Sequence, residues 1–116
     1  MHIATVEQIA NELLPALRDL RNTLAGKSKA YAGIVMVGRT HLQDATPLTL
    51  GQVISGWAGQ LDHAVVVIEA AVTDCLGLAI GGTAVGTGLN ADPLFGAVVA
   101  KKITGIDIRG IIGSSP

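Results

Sequence analysis

Residues able to do chemistry concentrate in one stretch of this 116-residue chain, Gly38-Arg39-Thr40-His41-Leu42-Gln43-Asp44-Ala45-Thr46-Pro47-Leu48-Thr49-Leu50-Gly51-Gln52. It gathers an imidazole, a guanidinium, a carboxylate, side-chain amides and the hydroxyls of Thr40, Thr46 and Thr49. An imidazole with an ordinary pKa of ~6.5 handles protons at neutral pH. Thr, Asp and Pro are also what helix starts use, so spacing alone equally fits a polar connection that caps helix ends. The other histidines have no such setting: His63 lies inside an apolar helical pattern and His2 is near the terminus.

An apolar helical segment flanks the stretch on each side, and a rigid scaffold of that kind is what positions a site on a loop. Upstream, Thr5-Val6-Glu7-Gln8 fits a capping box, and Val6, Ile9, Ala10, Leu13, Leu17, Leu20 and Leu24 form one apolar stripe. The pattern predicts a first helix over residues 5–36, bent near Pro15, which removes a backbone hydrogen bond. Val37 to Thr49 reads as a loop. The second helix has two candidate starts, Thr46 with Pro47 behind it or Thr49 with Gln52. It runs to about residue 80 on a heptad-like stripe that includes Leu50, Val53, Ile54, Trp57, Leu61, Val65, Ile68 and Val72. Val66 and Val67 lie off that stripe, and a long helix apolar on more than one side suits the centre of a bundle.

Four glycines in Gly81-Gly82-Thr83-Ala84-Val85-Gly86-Thr87-Gly88-Leu89-Asn90 end the second helix. Their spacing matches neither the P-loop nor the dinucleotide fingerprint. A tight connection packed against other backbone is the favoured reading over an anion cradle. Asp92-Pro93 then opens a short third helix over 92–104, with Lys101 and Lys102 in its last turn and Gly105 beyond. The predicted fold class is therefore all-α, with three helices.

Composition narrows the function classes. The net charge of −1 and an aromatic content of 3% leave no electrostatic or stacking footprint for nucleic acid, nor a basic face for an anionic membrane. No stretch is long and apolar enough to span a bilayer; Val53 to Ile80 is interrupted by Asp62, His63, Glu69 and Asp74. Met1-His2-Ile3-Ala4 does not read as a secretory signal. The lone Cys75 rules out a disulfide within the chain and, by the same count, a zinc site; it is expected to be a buried, reduced thiol. With 49% apolar residues in so short a chain, part of the apolar surface is expected to be covered by other chains or by further sequence.

The stretch from Gly38 to Gln52 resembles the central motif of the class II fumarases, in the fumarase/aspartase superfamily. Gly81 to Asn90 resembles the next motif of that family, at the right distance, and the likeness covers about residues 1–105. Two positions favour fumarase over aspartase: His41, where aspartases carry Gln, and Gly81-Gly82-Thr83-Ala84-Val85, where they tend to carry Gly-Ala-Thr-Ala-Ile. The resemblance implies reversible hydration of fumarate to L-malate in the tricarboxylic acid cycle. It implies no cofactor and no metal. It also implies a cytoplasmic location, or a mitochondrial one in a eukaryote. By the same resemblance Thr40 binds substrate, and His41 is catalytic, contacting substrate or the activated water. The family pools long helices from four chains into a homotetramer core, and each of its sites draws on three chains.

Two further catalytic loops of the family have no counterpart in these 116 residues, and the Gly113-Ser114-Ser115 of the tail is not assigned the role of the family's catalytic serine. Residues 1–105 are expected to be part of the family's central helical domain and 106–116 a divergent tail. The readings open at this point are a portion of a fumarate hydratase, a non-catalytic helical oligomerisation segment, or another lyase of the superfamily such as aspartase.

Overall fold

The computed structural model describes residues 1–104; the tail from 106 lies outside the described residues. In chain order the elements are α1 (His2–Gln8), a π-helical turn (Ile9–Leu13), α2 (Leu14–Ala30), β1 (Val35–Thr40), β2 (Gln43–Thr49), α3 (Leu50–Cys75) and α4 (Phe95–Thr104). Two compact units are formed, one of residues 10–69 and one of residues 1–9 with the chain from 70 onward.

The all-α expectation is overturned by the antiparallel pair β1–β2. Its strands occupy the end of the predicted first helix, the predicted loop and the start of the predicted second helix. The physical reason lies in Ile34-Val35-Met36-Val37, three of whose four side chains are β-branched and fit a pleated strand better than a helix. The first helix stops at Ala30 in a turn through Gly33, where Ile34 N–H donates to Tyr31 O at 3.1 Å. Thr46 and Pro47 lie in β2 and start no helix. Pro47 is tolerated there because a strand of a two-stranded sheet has a free edge.

The first predicted helix is also interrupted. Its N-terminus is not the expected Thr5 box: the helix begins at His2, and the Thr5 hydroxyl donates back to Met1 O at 3.1 Å. The π-helical turn Ile9–Leu13 leads into α2, whose second residue is Pro15. Proline has no N–H for the carbonyl four residues back, and a widened turn accommodates its ring.

Within the unit of residues 10–69, α2 and α3 run antiparallel. Arg18 pairs with Glu69, Arg21 with Asp62, and the Ser28 hydroxyl donates to Gly51 O at 2.8 Å, so numbers rise on one helix as they fall on the other. Leu14, Ile54 and Ala58 are buried. Gly51 marks a close approach: a Cβ there would lie 2.5 Å from Ser28 O and 2.8 Å from Ala32 Cα. Of the two candidate starts for α3, Thr49 is the one used. Thr49 N–H donates to Gln52 Oε1 at 2.8 Å, and Gln52 N–H donates to Thr49 Oγ1 at 3.1 Å. That reciprocal pair satisfies two backbone donors that the helix itself leaves without partners.

In the other unit α3 ends at Cys75 rather than near residue 80. Leu76 N–H turns back onto Thr73 O at 3.2 Å, a tightened last turn. Cys75 is exposed, contrary to the buried thiol expected from its apolar neighbours. Gly81 to Asn90 packs backbone on backbone. Gly88 N–H donates to Gly82 O at 2.9 Å, and a Cβ on Gly82 would sit 3.0 Å from Gly86 Cα. The third predicted helix begins at Phe95 and not at Asp92; Asp92 lies in the turn ahead of it, its Oδ1 accepting from Leu94 N–H at 2.8 Å. Among the described residues no helix is long and apolar enough to cross a membrane.

Candidate functional site at a hairpin tip

β1 and β2 pair with Val35 opposite Thr49, Met36 opposite Leu48, Val37 opposite Pro47, Arg39 opposite Asp44 and Thr40 opposite Gln43. Only His41 and Leu42 remain between the strands. The two expected site residues, Thr40 and His41, are therefore neighbours at the tip of a β-hairpin. Thr40 is the last paired residue of β1 and His41 the first of the turn. Both are exposed.

A two-residue hairpin turn whose twist matches its strands needs a left-handed backbone at both positions, and Asn-Gly is the usual solution. Here His41 has φ 51° and Leu42 has φ 63°. Side chains with a Cβ resist that region, at a cost of roughly 1–2 kcal/mol per residue. Leu42 is 99% exposed, so no burial of its own side chain offsets the cost. Strain of this kind collects where a side chain is held for use. His41 itself is open to solvent at the tip of the ribbon.

Arg39 Nε donates to Asp44 Oδ1 at 3.2 Å, an ion pair across the two strands. Both side chains are about three-quarters exposed (75% and 73%), so solvent screens the pair. At the root of the hairpin, Leu50 N–H donates to Ile34 O at 2.9 Å and Gly51 N–H to Tyr31 O at 3.1 Å. These bonds seat the ribbon directly on the ends of α2 and α3. The arrangement supplies a hydroxyl donor, a proton-handling imidazole and the Gln43 amide at one projecting point. Sequence reading missed the part played by Leu42, because a His-Leu pair carries none of the Asn or Gly signals of such a turn.

His63 lies on the exposed side of α3. A second concavity, 610 Å³, is lined by residues of the segment Gly77 to Gly86 and carries no ionisable side chain. Among the described residues no group of His, Cys, Asp and Glu side chains is placed to hold a metal ion.

A strained two-residue turn of His41 and Leu42, with Thr40 at the end of the strand before it, stands on an antiparallel helix pair and is followed in the chain by a glycine-rich connection. The family model described as Lyase matches residues 1–114, and the chain belongs to that family. Its relatives are narrower in kind. The chain is 60% identical over 103 residues to the class II fumarate hydratase of Nitrosomonas europaea, which covers 89% of this chain and 22% of that protein. It is 59% identical over 104 residues to the corresponding protein of Bacillus subtilis, covering 90% and 22%. Among solved structures it resembles the class II fumarase of Schistosoma mansoni, with a TM-score of 0.78, 38% identity, and 88% of this chain against 22% of that one. It also resembles the fumarate lyase:delta crystallin of Brucella melitensis solved with cobalt, with a TM-score of 0.74 and 29% identity over 94% of this chain and 24% of that one. The resemblance to class II fumarases carried by the two motifs thus holds over most of the chain. The chain spans about a fifth of the length of these relatives.

Proposed function

We propose that this chain supplies the Thr40–His41 corner of a class II fumarate hydratase site, which adds water reversibly across fumarate to give L-malate. The observation that supports it is the hairpin tip: two side-chain-bearing residues held in the left-handed region, with the threonine and histidine of the fumarase motif side by side. In the direction of dehydration, a proton leaves the carbon next to a carboxylate and charge builds on that carboxylate. Preorganised donors lower the barrier most at such a point. The Thr40 hydroxyl donates to a substrate carboxylate. The His41 imidazole holds or moves a proton at the reacting water, the work of a general acid–base group. The substrate pair is fumarate and L-malate, in the tricarboxylic acid cycle of a cytoplasm or of a mitochondrion.

The site is completed by other chains of a homotetramer. Supporting this are Trp57, Val66 and Val67, all exposed on α3, and Val35 and Val37, exposed on β1. An unsupported two-stranded ribbon is marginal in water, and contiguous exposed apolar surface marks a face that another chain covers.

The test places residues 1–104 in the matching segment of the Bacillus subtilis relative and follows fumarate absorbance. The parent chimera hydrates fumarate. His41→Asn, which keeps hydrogen bonding but removes proton transfer near neutral pH, is expected to cost roughly 10²–10⁴ in kcat. A His41→Asn chimera as active as its parent overturns the assignment.

A further inference from the structure

We propose that Gly38 is a positioning residue that aims Thr40 and His41, by leaving room for one extra residue in the opposite strand; the inference rests on the hydratase reading of those two residues. From Val37 opposite Pro47 to Arg39 opposite Asp44, β1 advances two positions and β2 advances three. Ala45 and Thr46 therefore share the place that faces Gly38. Side chains alternate between the faces of a strand, so one extra residue shifts the register by one and changes which β2 side chain shares a face with each side chain of β1. It also bends the ribbon and increases its twist. The tip points where it does because of this offset.

The extra residue brings backbone into the space a side chain at position 38 would take. A Cβ on Gly38 would lie 2.8 Å from Thr46 O and 3.0 Å from Leu48 Cδ2. Gly38 is not among the residues with a left-handed φ. What the position requires is the missing Cβ and not glycine's conformational freedom. The offset also sets the length of the turn. Were β2 to slide by one residue to restore even pairing, Thr40 would face Asp44, and three residues would lie between the strands. His41 and Leu42 would then lose their roles as the two central turn residues. The Arg39–Asp44 pair, open to solvent and to salt, is too weak to enforce the offset against such a slide.

The experiment uses the active chimera with three variants: Gly38→Ala, deletion of Ala45, and His41→Asn as the reference for the site itself. Gly38→Ala collides with Thr46 O and forces the slide, whereas deleting Ala45 removes the extra residue without any collision. Both are expected to lower kcat about 10- to 100-fold, the scale of a catalytic group displaced by about an ångström. KM is expected to stay within a few-fold, and the crystal structure of the deletion variant to show Thr46 opposite Gly38 with Thr40 still opposite Gln43, on a ribbon that has lost its bend and extra twist. The deletion variant separates aim from stability, because it keeps a continuous ladder. An assembled variant that keeps kcat within threefold of the parent, while His41→Asn loses its activity, overturns the role of Gly38 and leaves the site standing. Full activity of His41→Asn overturns the site reading instead. Failure of both Gly38→Ala and the deletion variant to assemble assigns the offset to folding, and that also overturns the proposal.

Discussion

The hairpin tip and the glycine-rich connection are both polar turns, and both bear a motif of the same family, yet they use left-handed backbone in opposite ways. At the tip it falls on His41 and Leu42, which carry side chains, and the turn is exposed. In the connection most of it falls on Gly81, Gly86 and Gly88, with Thr83 and Asn90 as the exceptions. There the missing Cβ atoms let Gly82 approach Gly86, and Gly81 approach Gly96. Glycine relieves strain and brings backbones together. A histidine in the same region keeps the strain and presents a functional group. Left-handed residues therefore mark different things according to whether a side chain is present.

The largest expected effect that sharpens this contrast is Gly81→Ala in the chimera. Its φ of 89° and the approach of Gly96 N, 3.4 Å from an added Cβ, oppose any side chain. A loss of about 2 kcal/mol in unfolding free energy is expected from the backbone conformation and the contact together. Urea unfolding reads it, with kcat per folded enzyme within a few-fold of the parent. A normal midpoint with lost activity would make the connection resemble the tip and erase the distinction.

Leu42→Gly is the reciprocal change. It relieves a backbone cost of roughly 1–2 kcal/mol against an entropic penalty of about 0.5–1 kcal/mol for glycine in the unfolded chain. A net gain in stability of about 0.5–1 kcal/mol is expected, measured by the same unfolding. Destabilisation beyond 1 kcal/mol would show that Leu42 is held by contacts and not against strain.

A smaller effect belongs to the helix pair that carries the tip. The Arg21 guanidinium, hydrogen-bonded to Asp62 at 2.7 and 2.9 Å, holds the Asp62 carboxyl below its ordinary value of 3.8. A lowered carboxyl pKa stabilises the folded chain above the ordinary value, and that contribution disappears as the pH falls through the lowered one. Asp62→Asn is accordingly expected to lower stability slightly at pH 7, where the contribution is present, to change little in acid, where it is already lost, and so to flatten the acid limb below about pH 4. An unchanged acid limb in thermal scans would remove the pair from any role in that limb. The smallest expected effect is His63→Asn, which leaves kcat of the chimera within a few-fold. A loss matching that of His41→Asn would mean that the contrast between the two histidines does not lie in the hairpin.

The sequence by itself placed the chemistry-bearing side chains together and supplied part of the punctuation. The Gly38–Gln52 motif put Thr40 and His41 together because they are adjacent in the chain. The Thr49–Gln52 capping box and the Asp92 turn ahead of α4 were legible because each is hydrogen-bonded within a few residues. The extent of the helical pattern was legible only in part. A period of apolar residues does not stop at Ala30 or Cys75, and the strand preference of Ile34 to Val37 competed with it locally. Tertiary structure alone decided that the polar stretch is a hairpin and not a loop. Pairing across the ribbon depends on contacts between residues on opposite strands, and the strands have no alternating pattern to announce them. It also decided the offset facing Gly38 and the left-handed turn at His41 and Leu42, since neither residue is one that such a turn selects. The exposure of Cys75 was decided the same way: helical spacing places a residue on a face, but only the packed partner determines whether that face is covered.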